Sequence, residues 1–94
     1  LVMFEGTTDE RVVDCVAAST TIGRSGEADI QCSDDNRMSR VHCRLEFVDG
    51  RCHIADIESL NGTWVNDERI ARRRLYGSEE LLIGETRFRF LLRN

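Results

Sequence analysis

Ser39 and His42 lie three residues apart in "SRVH", residues 39–42. At that spacing a histidine can act as general base to a serine nucleophile. Such a pair needs a third group to orient the base, and donors for the oxyanion. No G-x-S-x-G is present, and no helical pattern follows Ser39 to form the strained strand-to-helix turn. A small hydrolase is therefore the less favoured reading. No residue is assigned as catalytic, and the chain is not expected to be an enzyme. Gly23 and Gly26 in "GRSG" do not make a phosphate loop either, since the lysine and the helix that such a loop requires are missing.

The four cysteines, Cys15, Cys32, Cys43 and Cys52, contain no C-x-x-C pair. Only "HC" at 42–43 and "CH" at 52–53 suggest a metal. The strands that would carry them argue otherwise. "VHCRLEFVDGRCHIADI", residues 41–57, reads as a hairpin about Asp49-Gly50, because a two-residue type I′ turn needs positive φ at both positions. Counting from that turn, Val48 pairs with Arg51, Phe47 with Cys52, Leu45 with Ile54 and Cys43 with Asp56. Side chains alternate faces along a strand. Cys43, Leu45, Phe47, Cys52 and Ile54 then form a core face, while His42, Arg44, Glu46 and His53 point the other way. Cysteines and histidines on opposite faces cannot share one ion. Neither a metal nor a cofactor is expected, and the thiols read as buried groups in a reducing, cytoplasmic setting.

The rest of the chain has the same character. Short runs rich in Val, Ile, Thr and Phe predict strands at 1–5, 12–17, 20–23, 29–32, 63–65, 80–83 and 86–92. With no proline, the turns must come from Gly, Asn, Asp and Ser. The expectation is an all-β sandwich or barrel. "RIARRRL", with Arg72, Arg73 and Arg74 in a row, reads as a solvated loop or a charged edge that resists strand addition, with a secondary anion site as the less favoured reading. Ninety-four residues allow one domain over 1–94, and "LVMFEG" suggests a domain cut from a longer protein. No apolar run is long enough for a bilayer. A net charge of −4 argues against general nucleic-acid binding, though not against a local cationic pocket.

"GR" at 23–24, "SRVH" after 14 intervening residues, and "NGTWVN" at 61–66 occur in that order. Each stretch alone is an ordinary turn or a solvated charge. In combination they resemble the forkhead-associated (FHA) domain family, and "LLIGETRFRF" resembles its closing strands. The resemblance runs from about residue 12 to residue 92. It implies a β-sandwich of two mainly antiparallel sheets with about eleven short strands, and binding loops at one end. It also implies a recognition module for phosphothreonine peptides in signalling. The partner would be a phosphothreonine-containing protein, in trans or in the same polypeptide, with no nucleic acid or membrane involved.

The residue chemistry suits such a ligand. A phosphothreonine carries about −1.5 to −2 charge and three acceptor oxygens, which match a guanidinium fork, hydroxyls and backbone N–H groups. By resemblance, Arg24 pairs with the phosphate, Ser39 donates its hydroxyl, Arg40 is a further contact, and Asn61 holds the ligand main chain. Gly23, His42, Gly62 and Thr63 support the site, with His42 bracing the loops. Leu60 stands where many members carry Thr or Ser as a phosphate donor, so a hydrogen bond is lost there or replaced by an N–H. Gly77-Ser78-Glu79 stands for a more usual Gly-Asp and is expected to affect a turn. Asp34 and Asp35 are expected near the site, where they would repel phosphate unless Arg37 offsets them. The alternative is an FHA-fold interaction module that has lost phosphate dependence.

Overall fold

Asp49 and Gly50 both have positive φ, 53° and 73°, as the two-residue turn requires. The computed structural model describes residues 2–4, 12–13 and 18–90. Its strands are β1 (Val2–Phe4), β2 (Val12–Val13), β3 (Ser19–Gly23), β4 (Ile30–Gln31), β5 (Cys43–Val48), β6 (Arg51–Asp56), β7 (Thr63–Val65), β8 (Glu68–Ile70), β9 (Arg72–Leu75), β10 (Glu80–Ile83) and β11 (Thr86–Phe90). Nine of them lie between Ser19 and Phe90, and the two short N-terminal segments extend one sheet. No helix occurs among the described residues. The outer parts of the strands expected at 1–5, 12–17 and 86–92 lie outside the described residues, as does Cys15.

Two sheets face each other. One has the order β2-β1-β11-β10-β7-β8 and the other β4-β3-β5-β6-β9. All the ladders given are antiparallel except β3 with β4, where Ile22 pairs with Ile30 in parallel. The central hairpin has the register counted from its turn: Val48 opposite Arg51, Leu45 opposite Ile54, Cys43 opposite Asp56. Its inward residues Cys43, Leu45, Cys52 and Ile54 are almost wholly buried. Phe47 is only partly covered and packs against the cluster's margin. From the opposing sheet Val65, Leu81, Ile83, Phe88 and Phe90 complete the core.

β8 was not expected from the sequence, and β9 only as the charged-edge alternative to a loop. β8 pairs with β7, and β9 with β6. The run Arg72-Arg73-Arg74 is therefore neither a loop nor wholly solvated. It forms the edge strand of the five-stranded sheet, which is the charged-edge alternative. Arg73, opposite inward-facing Ile54, is half-buried, and its guanidinium donates to the Val65 carbonyl of the other sheet at 3.4 Å. Pairing with β6 overrides the poor strand propensity of the run.

The strand ends nearest His42 bring together the loops 24–29, 32–42 and 57–62. The turn after β10 joins them through Asp35, whose carboxylate accepts from the Glu85 N–H at 2.8 Å and the Thr86 hydroxyl at 2.6 Å. Phe88 is fully buried at the middle of this sandwich. Phe88→Ala is expected to cost about 3–5 kcal/mol, read as a lower urea midpoint with an unchanged m-value.

Candidate functional site

Gly23 ends β3 against the chain at Arg40. A Cβ there would lie 2.0 Å from the Arg40 carbonyl oxygen, so no other residue lets the two segments meet. Their backbones are laced directly. The Arg24 N–H donates to Ser39 O at 3.0 Å and the Ser25 N–H to Arg40 O at 3.1 Å. This pairing sets Arg24 beside Ser39. The Arg24 side chain is fixed as well, since its Nε donates to Met38 O at 3.1 Å.

Met38 anchors the loop from below, with 2% of its surface exposed. Asp35 shapes the same loop by accepting the backbone N–H groups of Arg37 and Met38 at 3.0 and 3.1 Å. Asp35 is thus near the site as expected, but buried and engaged by N–H and O–H donors from two loops, so it organises the loop. Asp34 is exposed.

His42 is fully buried, although strand alternation placed it on the outer face with Arg44. It precedes the first residue of β5, and its ring turns into the loop end. Its Nδ1 accepts the Ser39 N–H at 3.0 Å. A backbone N–H can only donate, so the ring proton must be on Nε2, which donates to Gly62 O at 2.7 Å. The ring thus ties the serine loop to the asparagine loop. It makes no hydrogen bond to the Ser39 hydroxyl, as a general base would. That hydroxyl oxygen accepts the Leu60 N–H at 3.1 Å.

On the other loop, the Asn61 side-chain amide donates to Arg37 O at 2.8 Å. Gly62 has φ 87°, and a Cβ there would lie 2.7 Å from Arg69 Nε. The Gly62 N–H donates to the Ser59 hydroxyl oxygen at 3.0 Å. Ser59 and Thr63 both donate through their hydroxyls to Asp56. Partial burial works to raise the Asp56 carboxyl, but these hydrogen bonds outweigh it and hold the group below its ordinary value of 3.8.

Arg24, Ser39, Asn61 and the Leu60 N–H therefore converge at one end of the sandwich. The Arg40 side chain is exposed there. The Leu60 side chain, 87% exposed, brings no polar group, and its backbone N–H is taken up by the Ser39 hydroxyl oxygen. Thr63 is wholly buried. Gly77-Ser78-Glu79 belongs to a turn, where the buried Glu79 carboxylate accepts the N–H groups of Tyr76 and Gly77, each at 2.7 Å. The sequence reading missed Asp56 and Ser59. Asp56 had a signal: the hairpin register put a carboxylate opposite Cys43, on an apolar face. Met38 had one too, as an isolated apolar residue in a polar loop. Burial pushes the Cys43 thiol far up, so it is inert as a nucleophile. Cys43 and Cys52 point inward while His53 lies on the outer row.

The FHA domain model matches residues 20–84. The chain belongs to the FHA domain family. Among curated relatives, the oxoglutarate dehydrogenase inhibitor of Corynebacterium efficiens is 40% identical over 73 residues, covering 78% of this chain and 51% of that protein. The glycogen accumulation regulator GarA of Mycolicibacterium smegmatis is 37% identical over 73 residues, covering 78% and 46%. The chain thus spans about half the length of these relatives. An FHA domain solved in a study of phosphothreonine-dependent FHA interactions superposes with a TM-score of 0.91 at 22% identity, covering 99% of this chain and 95% of that one. EmbR of Mycobacterium tuberculosis, solved with a low-affinity phosphopeptide, gives 0.86 at 28% identity, covering 96% of this chain and 24% of that one.

Two outcomes follow from the geometry. Gly23→Ala should destabilise the domain by about 1–3 kcal/mol or more, because the clash is with backbone, and chemical denaturation measures it. Asp56 has a depressed folded-state pKa, so its contribution is present above the ordinary value of 3.8 and lost as pH falls below it. The stability gap between wild type and Asp56→Asn should therefore be widest above about pH 5 and narrow as pH falls below 3.8.

Proposed function

We propose that the chain is a phosphothreonine-peptide recognition module that mediates phosphorylation-dependent protein–protein interaction. One observation carries this reading. Ser39 Oγ accepts the Leu60 N–H, so its own proton points elsewhere. Beside it lies Arg24, whose Nε is fixed on the carbonyl immediately before Ser39. A hydroxyl donor and a guanidinium held side by side at a loop end are what a phosphate dianion requires.

In this reading Arg24 and Ser39 bind the phosphate, and Arg40 adds a further cationic contact. The Leu60 N–H fixes the serine rotamer. Asn61 uses its amide nitrogen to pin the 37–40 loop, which leaves its Oδ1 to accept from the ligand main chain. Gly23, His42, Gly62 and Thr63 hold the loops in register. Family membership supports this reading, as do the phosphopeptide bound to EmbR and the regulator and inhibitor names of the relatives. The role is non-enzymatic and cytoplasmic, residues 1–94 act as one recognition unit, and the partner is a phosphothreonine-containing protein. It is met in trans or within the same polypeptide.

Charge-assisted hydrogen bonds contribute about 1.5–3 kcal/mol each, against an association cost of about 4–15 kcal/mol. Three or four phosphate contacts plus flanking peptide contacts place the affinity of a good sequence near micromolar, about −8 kcal/mol. The test is a titration with one degenerate peptide pool in phosphothreonine, phosphoserine and unmodified forms. Only the phosphothreonine pool should bind, and Arg24→Ala and Ser39→Ala should each abolish binding. Affinity should fall below about pH 6, as the phosphate takes its second proton. Equal binding of all three pools would overturn phosphate recognition and leave an interaction module of the same fold.

A further inference from the structure

The five-stranded sheet carries on its outer face a charge opposite to that of the chain. The formal net charge is −4, with 17 acidic residues, and all 13 basic residues are arginines. Because Cys43, Leu45, Cys52, Ile54 and Leu75 point inward, alternation turns the intervening residues outward. These are Arg44 and Glu46 on β5, Arg51 and His53 on β6, and Arg72 and Arg74 on β9. On these three strands four guanidiniums face one carboxylate, while the Asp29 carboxylate, on the β3 side, accepts from the Thr21 N–H and hydroxyl. Glu46 is divided between two of the arginines, 3.6 Å from Arg44 Nε and 3.9 Å from Arg72 Nε. It reaches both because the residue between them in the cross-strand row is the small Ala55.

Arg44 Nε and His53 Nδ1 are buried and make no hydrogen bond, Arg44 Nε having only the Glu46 carboxylate at 3.6 Å. An aromatic ring sits at the margin of this face. Tyr76 is 66% exposed and held under the Arg74 guanidinium, 4.5 Å from carbon to ring centroid. Val48, also outward, is 56% exposed. Arginine and tyrosine are the side chains that anchor protein interfaces most often, and this pair is pre-organised.

The backbone adds direction. β9 ends its sheet, so among the described residues one of its sides has no strand beside it. Its arginines repel a second copy of the same edge but attract an extended segment of opposite charge. A long polyanion fits less well. The chain measures 33 × 27 × 26 Å and is acidic overall, and charges are screened beyond about 8 Å at physiological salt. A duplex or an anionic bilayer would extend past the arginines onto that acidic remainder, whereas a short strand remains on the patch.

We propose that β9 and the outer face of the five-stranded sheet dock an extended acidic segment of a protein partner. Its carboxylates pair with Arg44, Arg51, Arg72 and Arg74, and its backbone lies along the free side of β9. This surface lies beside the loop end but uses none of the phosphate-site residues, so it is independent of the phosphothreonine reading.

The probe is an unphosphorylated, glutamate-rich peptide of about ten residues with one aromatic, long enough at roughly 3.3 Å per residue to cross the sheet. It is titrated into the labelled domain and followed through backbone amide shifts. Shifts should concentrate on β5, β6 and β9. Arg72→Glu/Arg74→Glu should weaken binding by about fivefold or more, the scale of two reversed exposed pairs. Arg87→Glu, half that change of charge and placed on the other sheet, should alter it less than about twofold, as expected for a charge beyond the screening length. Thermal unfolding of the double variant checks that it is folded, and unchanged phosphothreonine-peptide affinity checks that its loop end is intact. Shifts confined to the loop end would overturn the proposal, as would none at saturating peptide or an equal loss in Arg87→Glu. Tighter binding of duplex DNA or phosphatidylserine vesicles to the same strands would also overturn it, and would assign the face to a polyanion.

Discussion

The His42 ring accepts the Ser39 N–H on one edge and donates to the Gly62 carbonyl on the other, and the geometry of the loop end depends on both bonds. The backbone of the same residue is as fully engaged. Its N–H donates to Ile22 O at 2.8 Å, and its carbonyl accepts the Ile57 N–H at 2.9 Å. One residue therefore connects β3, the serine loop and the asparagine loop from a fully buried position. Few side chains can fill this role. The site needs an acceptor and a donor on opposite edges of a compact, rigid group, which lysine, arginine and the hydroxyl residues do not offer. Losing the ring would leave a buried N–H and a buried carbonyl unpaired, each costing about 1–3 kcal/mol.

Above that brace the loops are rigid for reasons that have little to do with the ligand. Arg24 and Ser25 pair with Ser39 and Arg40 through backbone atoms, and Gly23 makes the approach possible. Met38 plugs the loop into the core from below, while Asp35 gathers donors from both the loop and the turn after β10. Asp56 does the same for the other loop through Ser59 and Thr63. A site held this way loses little conformational entropy on binding, so a small set of phosphate contacts suffices for useful affinity.

Much of this was legible in the sequence, and what was not has definite causes. The hairpin register followed from Asp49-Gly50 because a two-residue turn leaves no choice of pairing. The grouping of Arg24, Ser39 and Asn61 followed from motif order. β8 was not legible, and β9 only as one of two alternatives, because "ERI" and "RRRL" owe their strand state to neighbours, with Arg73 reaching across to Val65. Local composition carries no trace of that contact. Asp35 was illegible for a related reason. An aspartate that accepts several backbone and hydroxyl donors looks, in sequence, like any solvated acid. The burial of His42 was missed because strand alternation was extended one residue past the end of β5, where the chain already bends into the loop.

Carboxylates held in this way also explain how an acidic chain can present cationic surfaces. Asp35, Asp56 and Glu79 are directed at backbone N–H groups, so their charge is met by fixed donors inside the structure. The arginines of the loop end and of the outer sheet face are not neutralised to the same degree. Arg24 and Arg40 are exposed, and the side chains of Arg44 and Arg72 share one carboxylate. Screening over about 8 Å means that an approaching anion responds to this local arrangement and not to the sum of −4. Net charge therefore bears on long-range association with extended polyanions, whereas the placement of each carboxylate, inward on N–H groups or outward into solvent, decides what the two cationic surfaces can bind.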